Sequence, residues 1–466
     1  MNDFFILMKP ELMIALIIFI LLFIKLGSGF LNINLIKVIQ ILLLINFISG
    51  FFMNAEGQLF NDMYSTNELV VLQKNILNLG VLLLSLIFTE WFTKCEHMPE
   101  FFILILSALM GMFFLISSGN LLMFYLSLEL ATIPVAALAN FHLDKKVSSE
   151  AAMKMILSSA FSSGIFLFGI SLFYGATGSL NFVSISGLLD QSPLQLMSFA
   201  FMFTGFAFKM SIVPFHLWTA DVYQGAPIPV TSFLSVISKG AIAFVFVSTL
   251  YKFFQSYSSL WYSMVMVLSI VTMIIGNLFA LRQENIKRFL AFSSIAQVGF
   301  ILVGLSSNSI QGATSVIYFV LIYVFSNLAA FGVAGLISFF TEKENISDYK
   351  GFYQNNPFLT WIFALALFSL AGIPPTAGFF GKLFLLSSGA QNGTYLFIGI
   401  AAINMIISLY YYLRIIRAMF MDKNENPISK LELQTTTKIG LIICGIGIIV
   451  TGLFGQVYDY IQHLVN

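Results

Sequence analysis

Apolar residues run along this chain in long unbroken stretches, and polar or charged residues collect in the short gaps between them. An uninterrupted apolar run of about 20 residues crosses roughly 30 Å of hydrocarbon as a helix, and the period-2 alternation of a barrel strand is missing here. The runs predict helices near residues 11–26, 33–53, 69–90, 101–118, 120–141, 150–175, 195–217, 228–253, 259–281, 288–306, 312–340, 357–389, 393–420 and 438–462. The expected fold is an all-α polytopic membrane protein with 14 transmembrane helices. The third run, which holds Lys74, and the long twelfth fit the pattern least well.

Loop charges orient these helices. Lys25, Lys94, Lys145, Lys146, Arg282, Lys287, Arg288, Lys343, Lys350, Arg414, Arg417, Lys423, Lys430 and Lys438 fall on one side, and only Lys9 and Lys252 on the other. By the positive-inside rule this puts both termini outside, the periplasmic side of a bacterial inner membrane. The connections are short, and even residues 421–437 are too few for a domain.

Two stretches repeat. FKMSIVPF (208–215) aligns with FSLAGIPP (368–375), each an apolar helix interrupted at proline, and each precedes a lysine among glycine and aliphatic residues, VISKGAI and FFGKLFL. Broken helices in corresponding positions of two halves are the sequence sign of inverted transporter repeats. The expected organisation is three helices in 1–100, a five-helix repeat in 101–253, a second in 259–420, and a last helix in 421–466.

Composition then narrows the function. With 59% hydrophobic and 9% charged residues the chain is far from any soluble balance, and a net charge of +1 without a basic block argues against nucleic acid. Cys95, Cys444, His97, His142, His216 and His463 are scattered without metal- or haem-ligand spacing, so no redox centre is expected in this chain. The start, MNDFFILMKPEL, lacks the basic region of a secretory signal, and the first run reads as a permanent span.

Against this background four ionisable residues inside spans stand out: Glu129, Lys209, Lys239 and Lys382. A charge at the bilayer centre costs roughly 2.5 to 3.5 kcal/mol on insertion scales. At 1.5 Å per residue Glu129 lies about 14 Å and Lys239 about 17 Å into their helices, too deep to snorkel easily. A buried lysine releases its proton more readily, and a nearby carboxylate reverses that. Glu129 near Lys209 would hold that lysine charged, and separation would release a proton toward Lys239. Pro214, Pro374 and Pro375 free backbone carbonyls for water or an ammonium, so the lysines are expected beside water.

Blander roles compete for the remaining residues. Lys74 reads as readily as a snorkelling or interhelical-bonding residue as it does as a functional one, and Lys154 reads as the i,i+4 partner of Glu150. His216 reads as an interfacial hydrogen-bonding group, and transmembrane prolines are often only kinks. Gln297, Ser293, Ser294, Ser326, Asn327, Tyr323, Asn404 and the run Tyr410, Tyr411, Tyr412 could hold water, although such residues also glue helices together. Arg414 ends its helix and snorkels inward.

Several segments taken together carry a resemblance: KMSIVPFHLWTADVYQGAPIPVTSF, EAAMK, LFYGATGSLNF, GNLFALRQENIKRFLAFSSIAQVGF, FSNLAAFGV, SLAGIPPTAGFFGK and SLYYYLR. The chain resembles the N-type antiporter-like subunits of bacterial proton-pumping NADH:quinone oxidoreductase, respiratory complex I, at motif level over residues 100 to 420. The related L and M subunits and Mrp-type cation/proton antiporters share the plan. L is longer, and M carries a glutamate where Lys382 stands. The resemblance implies that Glu129 pairs with Lys209, that Lys239 is the connecting lysine, that Lys382 serves the exit half-channel, and that Lys154 matches a family lysine. Some relatives carry histidine at Gln297, which cannot itself take up a proton. The resemblance also implies a translocase subunit with no cofactor of its own. FMN, iron-sulfur clusters and quinone would sit in partner subunits, and the neighbours would be subunit M, small K-type and J-type subunits, and lipid. The alternatives are an Mrp-type antiporter subunit, the equivalent subunit of a related hydrogenase or quinone-reducing complex, and an inert scaffold.

Overall fold

The computed structural model describes residues 2–27, 32–52, 55–391 and 393–466. Eleven of its helices are long and apolar enough to cross a membrane. Three expected spans stand apart from those eleven. The first, Lys9–Leu26, carries Lys9, Glu11 and Lys25. The other two are broken: Pro193–Met210 is followed after a turn by Leu217–Gly225, and Pro357–Ala371 by Ala377–Ala390. The expected continuous twelfth run is therefore two helices, because Pro374 and Pro375 cannot donate to the preceding turn. The end of the expected second run, residue 53, lies outside the described residues. The expected last run stops at Leu453, and the chain turns at Phe454 and Gly455 into a separate helix, Gln456–Val465.

The two breaks share one local geometry. Ser211 and Gly372 each adopt the left-handed conformation, at φ 62° and 87°. Each is followed by an isoleucine whose N–H reaches back five residues, Ile212 to Ala207 O at 2.8 Å and Ile373 to Phe368 O at 3.0 Å. The second break also depends on Gly378, where a side chain would collide with the Ser369 carbonyl.

Three helices form the interior: Ile228–Phe253, Ile286–Ser306 and Ile310–Thr341, almost wholly buried along their length. The first contains a π-helical turn, Leu234–Ser238, that leads directly into Lys239. Such single-turn widenings mark functional places in helices. The other long helices ring this centre and turn bulky residues such as Phe23, Leu157, Phe161, Leu396 and Ile406 outward, as a lipid-facing surface requires.

One feature of the outer wall has no counterpart in the apolar pattern. A short antiparallel hairpin, Gly57–Leu59 with Tyr64–Thr66, brings the Tyr64 hydroxyl to a buried ion pair. Lys74 Nζ lies 2.6 Å from Glu11 Oε1, both side chains 1% exposed, and donates to Tyr64 at 3.0 Å. Lys74 is thus an interhelical residue and does not snorkel. Removing one partner of a buried pair strands the other charge. Glu11→Ala is expected to lower the detergent-solubilised protein's unfolding free energy by about 3–5 kcal/mol. The double change Glu11→Ala with Lys74→Met should recover most of it; equal melting temperatures for wild type and Glu11→Ala would refute the pair's importance.

Candidate functional site

Lys209 and Lys239 find hydroxyl partners on other helices, and Lys382 finds backbone carbonyls of its own break. Lys209, in the last turn before the first break, donates to Thr132 Oγ1 at 2.7 Å and Ser159 Oγ at 2.8 Å. Thr132 follows Glu129 by three residues and so shares its helix face. The Glu129 carboxylate makes no ion pair with Lys209 within 4.0 Å among the described residues. Glu129 Oε1 is buried without a hydrogen-bond donor among the described residues. Neither hydroxyl was singled out from sequence, since Ser and Thr are ordinary in transmembrane helices.

Lys239 is 3% exposed, donates to Ser294 Oγ at 2.9 Å, and lies 5.5 Å from the centre of the Tyr223 ring. Lys382 is 1% exposed and donates to Leu370 O at 2.7 Å and Ala371 O at 3.3 Å, with the Phe300 ring 4.7 Å away. Those two carbonyls are the ones orphaned by proline: in a continuous helix they would accept from residues 374 and 375, which have no N–H. An ammonium in the break replaces the lost backbone bonds, as expected.

Between Lys239 and Lys382 the polar contacts are nearly continuous. Ser294 is neighbour in sequence to Ser293, which bonds the Tyr412 hydroxyl. Gln297 Nε2 donates to Tyr412 at 3.1 Å and to Leu370 O at 3.0 Å, the same carbonyl that Lys382 uses. Gln297 Oε1 is buried and unpartnered among the described residues. Ser326 bonds Ser369 at 2.7 Å beside the second break, and Asn327 donates to Ser235 at 3.1 Å in the π-helical turn. Tyr323 is buried near these groups.

Other candidates fall elsewhere. Tyr410 is 67% exposed on the outer face, away from the lysines. Consecutive helical residues point about 100° apart, so it is Tyr412 that reaches the polar line. Tyr411 turns to Asn277 at 2.9 Å, which bonds Asn404 at 2.9 Å. His216 sits in the first break, buried, with Nδ1 unpartnered among the described residues. Lys154 pairs with Glu150 at 2.7 Å, as its spacing predicts, and also with Asp221 at 2.7 Å. Arg414 donates to Leu281 O and Gln283 O at 3.0 and 2.7 Å, capping the end of a neighbouring helix.

At the lysine-rich end of the bundle a cleft of about 780 Å³ opens beside Gln224 and Pro227, lined by His142, Lys145, Lys146, Lys287 and Glu344. Burial, together with the charges of Lys145 and Lys287, moves His142 below the ordinary histidine range. Burial alone would raise the Glu344 carboxyl, but the charge and hydrogen bond of Lys287, with bonds from Ser338 and Asn285, bring it below the usual carboxylate value. The polypeptide leads from this cleft through Gln224 to Tyr223 and the Lys239 ammonium.

Known proteins resemble this chain over most of its length. Residues 118–408 match the family described as NADH:quinone oxidoreductase/Mrp antiporter, TM. The chain is 46% identical over 411 residues to the NADH-quinone oxidoreductase subunit N of Phocaeicola vulgatus, covering 87% of each. It superposes on a chain of respiratory complex I from Thermus thermophilus, solved with bound aureothin, with a TM-score of 0.81 at 28% identity, covering 95% of this chain and 97% of that one. A chain of the Mrp complex from Dietzia sp. DQ12-45-1b shares the fold at a TM-score of 0.88 and 19% identity, over 98% and 96% of the two chains.

Proposed function

This chain belongs to the NADH:quinone oxidoreductase/Mrp antiporter transmembrane family, and from that premise we propose that it is the N-type, proton-translocating membrane-arm subunit of an NADH:quinone oxidoreductase. NADH oxidation and quinone reduction take place in other subunits, which hold FMN, iron-sulfur clusters and quinone. The observation that carries the reading is a pair of polar runs on one helix, Lys239 to Ser294 and, from the adjacent Ser293, Tyr412 and Gln297 to the Leu370 carbonyl that Lys382 shares, with Lys209 and Glu129 on the other side of Lys239.

In this reading protons enter from the lysine-rich end, where the cleft beside Gln224 supports a wet approach. They pass sideways between ammonium groups and leave past Lys382. Glu129 sets the state of Lys209. Apart from the ammonium, as here, it lets the lysine rest on two hydroxyls and release its proton; drawn into contact, it would hold the charge. Gln297 cannot be protonated at physiological pH, so it orients Tyr412 and water and does not carry the proton itself. Moving a charge against the membrane potential takes about 2.3 kcal/mol per 100 mV, so the driving reaction lies in the partners. The two break geometries support an inverted-repeat plan with 14 spans. Both termini are assigned outside the inner membrane, with subunit M, K-type and J-type subunits as neighbours.

The test is NADH-driven acidification of inverted membrane vesicles, with assembly followed on native gels. Lys209→Ala is expected to lower pumping several-fold with the complex intact, because Thr132 and Ser159 remain to hold water in the vacated space. Unchanged pumping would refute the role of Lys209. Sodium-dependent exchange without any NADH-driven signal would replace the oxidoreductase reading by the antiporter one.

A further inference from the structure

The mechanism above leaves unused the charges around Asp221, which sits in the motif DVYQGAP on the short helix Leu217–Gly225. One carboxylate oxygen accepts from Lys154 Nζ at 2.7 Å, and the other from Arg288 at 2.7 Å. Arg288 also donates to Gln224 at 3.0 Å, one turn further along. Glu150 completes an alternating chain of charges, Glu150, Lys154, Asp221 and Arg288. Lys154 comes from the helix Lys146–Thr177 before the first break, and Arg288 from the start of Ile286–Ser306 beyond Lys239. Asp221 is therefore the joint between them.

What this helix carries gives the joint its meaning. Its Trp218 ring stacks on Phe208 at 5.3 Å, and the indole N–H donates to Phe208 O at 3.2 Å. The Phe208 ring lies 5.9 Å from Lys209 Nζ. Trp218 also meets the edge of Tyr223 at 6.5 Å, and Tyr223 lies under Lys239 at 5.5 Å. Thr219 donates to Ser211 at 2.6 Å, tying the helix to the break itself. A ladder of three rings thus joins the two ammonium groups, and its middle and far rungs ride on nine residues. A helix that short has little stability of its own and takes its position from its contacts.

We propose that Asp221 is a positioning residue: its carboxylate, shared by Lys154 and Arg288, fixes the Leu217–Gly225 helix, and through Trp218 and Tyr223 it sets the placement of Lys209 and Lys239 together. Loss of either cation tilts the helix toward the other, so a change on the Lys154 side is felt at Lys239. The consequence for pumping rests on the proton-translocation reading. The consequence for helix position does not.

Two readouts separate these. With Cys95→Ser and Cys444→Ala as background, Ala220→Cys places a thiol on this helix at a site that is 3% exposed. In membranes bearing the assembled complex, Asp221→Ala is expected to raise alkylation of that thiol by a water-soluble maleimide at least tenfold. It should also lower the protons pumped per NADH oxidised at least threefold, while Asp221→Glu restores both. Lys154→Ala and Arg288→Ala should each give a partial effect. If Asp221→Ala does not assemble, Asp221→Asn, which keeps the shape and loses the charge, takes its place. Unchanged alkylation overturns the proposal, and so does faster alkylation with an unchanged pumping ratio. Faster alkylation in a complex that shows no NADH-driven pumping before any change at Asp221 upholds the positioning role and removes the translocation reading instead.

Discussion

Lys382→Met is expected to cut NADH-driven proton pumping about 100-fold, the scale at which a positioned acid–base group is lost, and to destabilise the subunit as well. The second effect follows from the break. Leu370 O keeps the Gln297 amide as donor when the ammonium goes, but Ala371 O has no other partner among the described residues. Pro375 cannot serve it. A buried carbonyl left unsatisfied costs about 1–3 kcal/mol. Methionine fills most of the lysine's volume, so a cavity adds little. The complex should therefore still form but melt earlier, as read by native-gel survival across a temperature series. Lys382→Arg, which can reach both carbonyls, is expected to restore the melting temperature without restoring pumping, because a guanidinium does not release its proton. Pumping above half of wild type in Lys382→Met would exclude this lysine from the path.

Much of this was legible in the residues because membrane burial penalises charge and broken backbone so heavily. Apolar runs located the helices, and lysines inside those runs marked the site. Pro374 and Pro375 announced the carbonyls that Lys382 satisfies, since a missing N–H is a property of the residue itself. Choices of partner were another matter. Lys209 rests on Thr132 and Ser159, hydroxyls from two other helices, and nothing in those two residues distinguishes them from the Ser and Thr that merely join helices. Glu11 stands at the start of a run, where a carboxylate reads as interfacial; only the fold brings Tyr64 and Lys74 to it. Three adjacent tyrosines carry no mark of which one faces inward. Helical rotation decided for Tyr412 and turned Tyr410 to the outer face.

Lys239→Met should affect function as strongly as Lys382→Met while moving stability in the opposite direction. This ammonium is almost completely buried, and its one described hydrogen bond goes to Ser294, whose hydroxyl already donates to Ala291 O at 2.8 Å. Removing the lysine thus leaves Ser294 with a partner, unlike Ala371 O at the second break. The Tyr223 ring loses a cation, worth up to about 2 kcal/mol in a dry setting, but the chain no longer has to bury a charge without an ion-pair partner, which costs more. Methionine also packs well against an aromatic face. The expected result is a proton-pumping rate about 100-fold below wild type in a complex that assembles fully and melts later than wild type. A melting temperature several degrees lower would mean that Lys239 has structural partners beyond Ser294 and Tyr223, and that its place in the interior owes more to packing than to proton movement. Wild-type pumping in Lys239→Met would break the file at its centre.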